Sequence, residues 1–236
     1  MSQTPPDLSV VIPAYDEEHR LGAALAAVGR HLDTTGLTWE VIVADDGSAD
    51  GTAALAARAA LADPRVRLLA GRANRGKGHA VRRGVLASRG RQVLFTDADL
   101  ATPIEDLHLL RERLAAGACA AIGSRACPGA RVEVPQRAAR RILGTLGNLL
   151  IRTLAVPGIR DTQCGFKLFD GEKARAAFAP ARVDGWAFDV EILRLFARAG
   201  WRVDEVPVRW SHRAGSKVRP HHYLRVLTEI CGVIAR

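Results

Sequence analysis

Two aspartates one position apart, Asp97 and Asp99, close the apolar run Val93-Leu94-Phe95 in the stretch "VLFTDADLATP". On an extended chain, positions i and i+2 point to the same side. The two carboxylates therefore share one side of the strand end and repel each other unless a cation sits beside them. A hard divalent ion, Mg²⁺ or Mn²⁺, with a substrate diphosphate completing its oxygen shell, meets that need. A solvated turn with an Asp cap is the competing reading of the same spacing.

Asp45 and Asp46 in "VADDGSADGT" form a second acidic pair. Gly47, Ser48, Asp50 and Gly51 suit turn and helix-cap chemistry, which leaves one carboxylate to accept the N–H donors of a base, uracil or guanine. "NRGKGHAVRRG" is glycine-rich and opens a helix, so its first amides and Lys77 suit a phosphate or sugar hydroxyls. It matches neither GxxxxGK[ST] nor GxGxxG. Arginines 125, 131, 137, 140, 141 and 152 face one acid, Glu133, in the same stretch. They read as a solvated face or as a grip on an acceptor phosphate at a membrane surface. "RAGSKVRP", 213–220, is a basic loop with small residues, suited to closing over a diphosphate or to serving as a connector.

Such groups need elements that bring them together. "LSVVI" (8–12), "WEVIVA" (39–44), "VRLLAG" (66–71), "QVLFTD" (92–97) and "ACAAIGS" (118–124) read as buried strands. Helical spacing of Leu21, Leu25, Val28 and Leu32, then "SADGTAALAARAALA", "GKGHAVRRGVLAS" and "PIEDLHLLRERLAA", places a helix after each of the first four. Ser48 or Asp50 is the expected N-cap of the second helix, and Pro103 belongs near the first turn of the fourth. Alternation with continuous apolar strands implies an α/β fold, a mainly parallel sheet flanked by helices. Ligands of such sheets bind beyond the strands' carboxyl ends. The Asp45–Asp46, Asn74–Lys77 and Asp97–Asp99 groups are thus expected on one rim. Residues 137–155 read as an amphipathic helix with Ile142, Leu146, Leu149, Leu150 and Leu154 on one stripe. A second, "YLRVLTEICGVIAR", closes the chain. The expected division is one domain over 1–220 and a C-terminal helix over 221–236. Either helix suits packing on the core or lying on a membrane.

The chain's 236 residues, 48% hydrophobic, are enough for one substantial core. A net charge of +9 favours a polyanionic partner. Nucleic acid is a poor candidate. There is no recognition-helix motif, only 5% of residues are aromatic and able to stack on bases, and the acidic rim repels phosphate without a metal. Cysteines 119, 127, 164 and 231 show no metal or CxxC spacing and read as reduced thiols of a cytoplasmic protein. No signal-peptide pattern opens the chain, and no apolar run reaches the roughly 20 residues that span a bilayer. The expected location is cytoplasmic, with any membrane contact peripheral, at the inner face of the cell membrane.

In combination, "VVIPAYDEE", "VIVADDGSADGT", "NRGKGHAVRRG", "FTDADLATP", "GSR" and "IRDTQCGFKLF" resemble the inverting family 2 glycosyltransferases of GT-A fold. "RGKGHAVRRG", "DADLATP", "RDTQCGFKLF", "WAFDVE" and "GSK" are most similar to the polyprenyl-phosphate branch, the dolichyl-phosphate β-glucosyltransferases in particular. The resemblance runs from residue 8 to about residue 220. It implies a metal-dependent transfer of a sugar, glucose foremost, from a UDP-sugar to a polyprenyl phosphate. A soluble small-molecule acceptor, a secondary metabolite or nucleoside, is the alternative. Pro13, Ala14, Tyr15 and Glu17 would line the nucleotide pocket, with Asp45 and Asp46 facing the base and Lys77 near the donor. Asp97 and Asp99 would form the metal motif, Asp99 the main ligand of Mg²⁺ or Mn²⁺ and Asp97 nearer the ribose or donor sugar, with Ala98 on the same nucleotide-sugar side. Arg125, Arg141 and Thr145 would hold the acceptor phosphate, and Arg213 and Lys217 would contact the diphosphate. Asp189 falls where relatives keep a catalytic base. Two positions depart from the pattern: Ala101 replaces the glutamine that supplies a metal ligand in mannosyl-transferring relatives, and His79 replaces a glycine.

Overall fold

A computed structural model of the chain describes residues 4–134, 156–213 and 222–235. Strands β1 (Leu8–Ala14), β2 (Trp39–Asp45), β3 (Val66–Leu69), β4 (Gln92–Thr96), β5 (Ala120–Ser124), β7 (Phe166–Asp170) and β8 (Val203–Pro207) form one sheet in the order β3-β2-β1-β4-β7-β5-β8. β6 (Arg131–Val134) and β9 (Arg209–Ser211) pair as a separate two-stranded sheet. All pairings in the large sheet are parallel except the two that β7 makes, with β4 and β5.

Every residue of β1 and β2 is buried, while edge strand β3 is half-buried throughout. That contrast explains the continuous apolar runs, because a central strand covered on both faces has no solvent side to alternate with. Alternate residues of one strand feed opposite layers. Val10 and Ile12 of β1 and Leu94 of β4 pack with Leu21, Val28 and Leu32 of α1 (Glu18–Asp33) and with Leu107 and Leu110 of α4 (Leu107–Ala115). Val11, Val93 and Phe95 pack on the other side with Val81 and Val85 of α3 (Lys77–Ala87), Phe178 of α5 (Gly171–Phe178) and Phe188, Ile192 and Phe196 of α6 (Phe188–Arg198).

The third cluster joins Ile122, Ala187, Val190 and Leu193 to Ile230 and Val233 of α7 (His222–Ile234). Ile230 and Val233 of the C-terminal helix are thus packed into the core beside α6. The helix expected over 137–155, with Arg137, Arg140, Arg141, Thr145 and Arg152, lies outside the described residues, as does Lys217.

Three local features go beyond or against the sequence pattern. The antiparallel strand β7 was not foreseen; its run "FKLFD" carries no sign of direction, and pairing decides direction. α2 (Thr52–Ala62) starts after Gly51, so neither Ser48 nor Asp50 occupies the cap position. Asp50 instead accepts from the Thr52 amide (2.9 Å), and Ser48 turns back to Asp45. The fourth helix opens as a 3₁₀ turn, Ile104–Asp106, directly after Pro103, a common form of helix entry.

Candidate active site

The carboxyl ends of β1 and β2 are tied to one another. The Asp46 amide donates to Ala14 O (2.9 Å), Ala49 N to Asp16 Oδ1 (2.9 Å) and Glu17 N to Thr52 Oγ1 (2.7 Å). Asp16 turns the chain with φ 52°, a left-handed conformation that Asp tolerates better than most residues. Pro13 and Ala14 are buried at the strand end, and Tyr15 and Glu17 half-buried beyond it. Glu17 is already engaged: Arg20 donates Nε to Oε2 (2.6 Å) and Nη2 to Oε1 (2.7 Å).

Both members of the Asp45–Asp46 pair are 2% exposed and satisfied within the protein. Asp45 accepts from Ser48 Oγ (2.5 Å) and from the Gly47 amide (3.2 Å). Asp46 accepts from the amides of Arg75 (3.0 Å) and Gly76 (2.7 Å), with His79 Nδ1 at 3.4 Å. In this conformation both carboxylates accept from donors of the rim loops. They shape the two loops of the rim, because buried carboxylates take the nearest amide donors. His79 belongs to the same arrangement.

Lys77, the first residue of α3, reaches across the rim to β4. Its Nζ lies 2.7 Å from Asp97 Oδ1 and within 5.3 Å of the Phe95 and Trp186 ring centroids. Burial alone would pull the Lys77 pKa down, but the carboxylates of Asp97, Asp189 and Asp99 outweigh it and hold the pKa above its ordinary value. Asp99 is pushed the other way: burial and then the charge of Asp97 raise its pKa. Asp99 Oδ1 accepts from Ala101 N (3.0 Å), Ala98 is buried between the two acids, and Leu100 follows at φ 45°. A left-handed leucine is strained, and such strain concentrates at functional sites. Among the described residues no group of three or more His, Cys, Asp or Glu side chains is placed to hold a metal ion. The acid pair fits a cation in another sense: one carboxylate is destabilised by its neighbour's charge, which a divalent ion would relieve, leaving further positions for ligand oxygens.

Arg125 is not presented as an open phosphate clamp. Its Nε and Nη2 donate to Asp161 Oδ2 (2.7 Å) and Oδ1 (2.8 Å), leaving Nη1 as the remaining edge, and its guanidinium lies 5.4 Å from the Trp210 ring centroid. Asp161 is held well below the usual carboxylate range; burial opposes this, and Arg125 overcomes it. Asp189 is 5% exposed and accepts from Lys167 Nζ at 2.5 Å. A carboxylate so occupied is not a free base in this state. Arg213 is exposed at the end of its described segment.

Residues 9–173 match the family model described as glycosyl transferase family 2. The chain belongs to that family. It is 39% identical over 228 residues to the dolichyl-phosphate β-glucosyltransferase of Dictyostelium discoideum, covering 90% of this chain and 69% of the relative. With the enzyme of the same name from Drosophila melanogaster it shares 42% over 227 residues, covering 91% and 70%. The crystal structure of glucosyl-3-phosphoglycerate synthase from Mycobacterium tuberculosis with Mn²⁺, UDP-glucose and phosphoglyceric acid shares the fold. It superposes with a TM-score of 0.70 at 20% identity, covering 98% of this chain and 80% of that one. The GT-A architecture expected from the motifs is the one observed.

In this family 2 glycosyltransferase several residues at the rim escaped motif reading. Gly165 is one: the Asp97 amide donates to its carbonyl (3.1 Å), and a Cβ there would run into the Asp97 carboxylate. The glycine in "CGFKLF" was its only sequence signal. Lys167, 1% exposed, is another; a lysine inside an apolar strand is rare enough to flag. His212 is a third. The Ser211 amide donates to Ala101 O (2.9 Å), so β9 delivers the imidazole's backbone beside the loop of the acid pair.

Proposed function

We propose that the chain transfers glucose, with inversion at the anomeric carbon, from UDP-glucose to a polyprenyl phosphate of the dolichyl type. One observation carries the site assignment: Lys77, Asp97 and Asp99 meet at the carboxyl end of a central parallel strand, where a GT-A sheet takes its ligand. Sugar and acceptor follow from relatives at 39% and 42% identity named for glucose and dolichyl phosphate, and UDP from the fold neighbour.

The chemistry asks little of a base. A phosphate monoester has its second pKa near about 6 and is largely ionised at neutral pH, so its oxygen can attack C1 without losing a proton to the protein. That agrees with an Asp189 already bound to Lys167. A hydroxyl acceptor would need a free base. Lys77 offers a positive charge to the departing diphosphate, where preorganised charge accelerates transfer. Arg213, Arg141, Thr145 and Lys217 keep their sequence-based roles on the phosphates, and Pro13, Ala14 and Tyr15 the nucleotide side. Arg125 keeps its Nη1 edge for the acceptor. Asp97 and Asp99 would hold Mg²⁺ or Mn²⁺, whose charge would neutralise the leaving group. None of the described helices is long and apolar enough to cross a membrane; the sequence segment 137–155 is proposed to meet a lipid acceptor by peripheral contact.

The test is a matrix of nucleotide sugars against polyprenyl phosphate, secondary metabolites and nucleosides, read by mass spectrometry with Mn²⁺ or Mg²⁺. Glucosyl phospholipid formed from UDP-glucose is the expected product. Transfer only to non-phosphorylated acceptors would overturn the proposal.

A further inference from the structure

Lys167 stands in the middle of the sheet, on β7, paired in register with Phe95 of β4. Its ammonium donates to Cys164 O and to Asp189 Oδ1, both at 2.5 Å. Burying an ion pair in this way is often no more stabilising than an apolar pair of the same volume. Fastening α6 to the sheet is thus a weak reason for a charge there. The pair's surroundings supply a stronger one.

The ring of Phe95 has Lys77 Nζ 5.2 Å and Lys167 Nζ 5.5 Å from its centroid. Asp189, in the first turn of α6, is electrostatically coupled to both ammoniums, and Lys77 in turn contacts Asp97. Signs therefore alternate from the rim inward: Asp97 negative, Lys77 positive, Asp189 negative, Lys167 positive. Lys77 is attracted both by Asp97, which it touches, and by Asp189, so its position depends on how strongly each is already engaged.

We propose that Lys167 and Asp189 are positioning residues for Lys77. Lys167 partly satisfies Asp189, so that Asp189 anchors Lys77 from within without drawing it away from Asp97 and the donor diphosphate. This rests on the proposed donor site and gives Asp189 an electrostatic task in place of proton transfer. Without Lys167, Lys77 becomes the principal partner of a buried carboxylate and swings inward.

The experiment measures UDP binding by calorimetry, with and without Mn²⁺, and separate KM values for UDP-glucose and polyprenyl phosphate. The proteins are wild type, Lys167→Met, Asp189→Asn and the paired variant Lys167→Met/Asp189→Asn. Lys167→Met is expected to weaken UDP binding and raise the donor KM about tenfold or more, the loss of one well-placed charge-assisted contact, with acceptor KM unchanged. The paired variant removes the inward pull and should recover part of that loss, which a purely structural role would not produce. Unchanged UDP affinity in a folded Lys167→Met protein overturns the inference. So does a lower kcat with unchanged donor KM in Asp189→Asn, the signature of a base. Failure of both Lys167 variants to fold would assign the pair to stability alone and also overturn it. A wild-type protein that binds no UDP would instead refute the donor-site reading beneath it.

Discussion

Lys77 Nζ and Asp97 Oδ1 lie 2.7 Å apart, joining the N-terminus of α3 to the carboxyl end of β4. The contact closes the rim between two loops that come from different β-α units. It also places a cation beside an acid pair that would otherwise be electrostatically unfavourable. In the proposed donor site this ammonium is the charge offered to the departing diphosphate.

Lys77→Met should therefore lower kcat/KM by about 10²-fold or more, the usual scale for removing one preorganised charge at a leaving group. Far-UV circular dichroism should be unchanged. Initial rates with UDP-glucose give the readout, and a loss under threefold would remove Lys77 from the donor site.

Asp99→Asn should raise the melting temperature of the ligand-free protein while abolishing transfer. The Asp99 pKa is raised by burial and by Asp97, so the folded state disfavours its charge. That destabilisation is present above the folded pKa and disappears as pH falls through it toward the unfolded value. The gain in the variant should be visible at pH 7 and vanish in acid. Differential scanning fluorimetry across pH checks the sign.

Asp161→Asn removes one side of a buried, bidentate pair and should cost about 3 kcal/mol, measured by urea unfolding. The Asp161 pKa is depressed through Arg125. Its stabilisation is present above the unfolded carboxylate pKa and is lost as pH falls through the folded one. Wild type should lose stability over that acid window more steeply than the variant.

Gly165→Ala should displace the Asp97 carboxylate, since the added methyl has no room beside it. UDP affinity should drop with the overall fold retained. Equal affinity in calorimetry would show that Asp97 can move at no cost to the donor site.

Ile230→Ala tests the seat of α7. Ile230 is 2% exposed in the third core cluster, so the variant should lose roughly 2–4 kcal/mol as a buried large-to-small change. An unchanged melting temperature in the absence of lipid would mean that the helix is not held by the core.

The order of strands and helices through residue 124 was legible in apolar runs and helical spacing, since both are local patterns. β7 was not. Its five residues carry an apolar pattern without a direction, and they reach their neighbours β4 and β5 only after the long excursion that follows Ser124. The acid pairs were legible as features of strand ends, but the loop donors that Asp45 and Asp46 accept from were not. Residue types advertise a capacity to accept hydrogen bonds, and only the folded backbone shows which donors arrive first.

The sequence by itself determined the layered α/β architecture, through the alternation of buried strands with amphipathic helices, and the placement of Lys77, Asp97 and Asp99 at strand and helix ends. Tertiary structure alone decided their partners. Asp189 with Lys167, Arg125 with Asp161, and Gly165 beside Asp97 are contacts between residues distant in sequence. Their geometry is set by insertion of an antiparallel strand between β4 and β5. A charge's chemical role follows from which opposite charge is packed against it, and local sequence does not encode that distance.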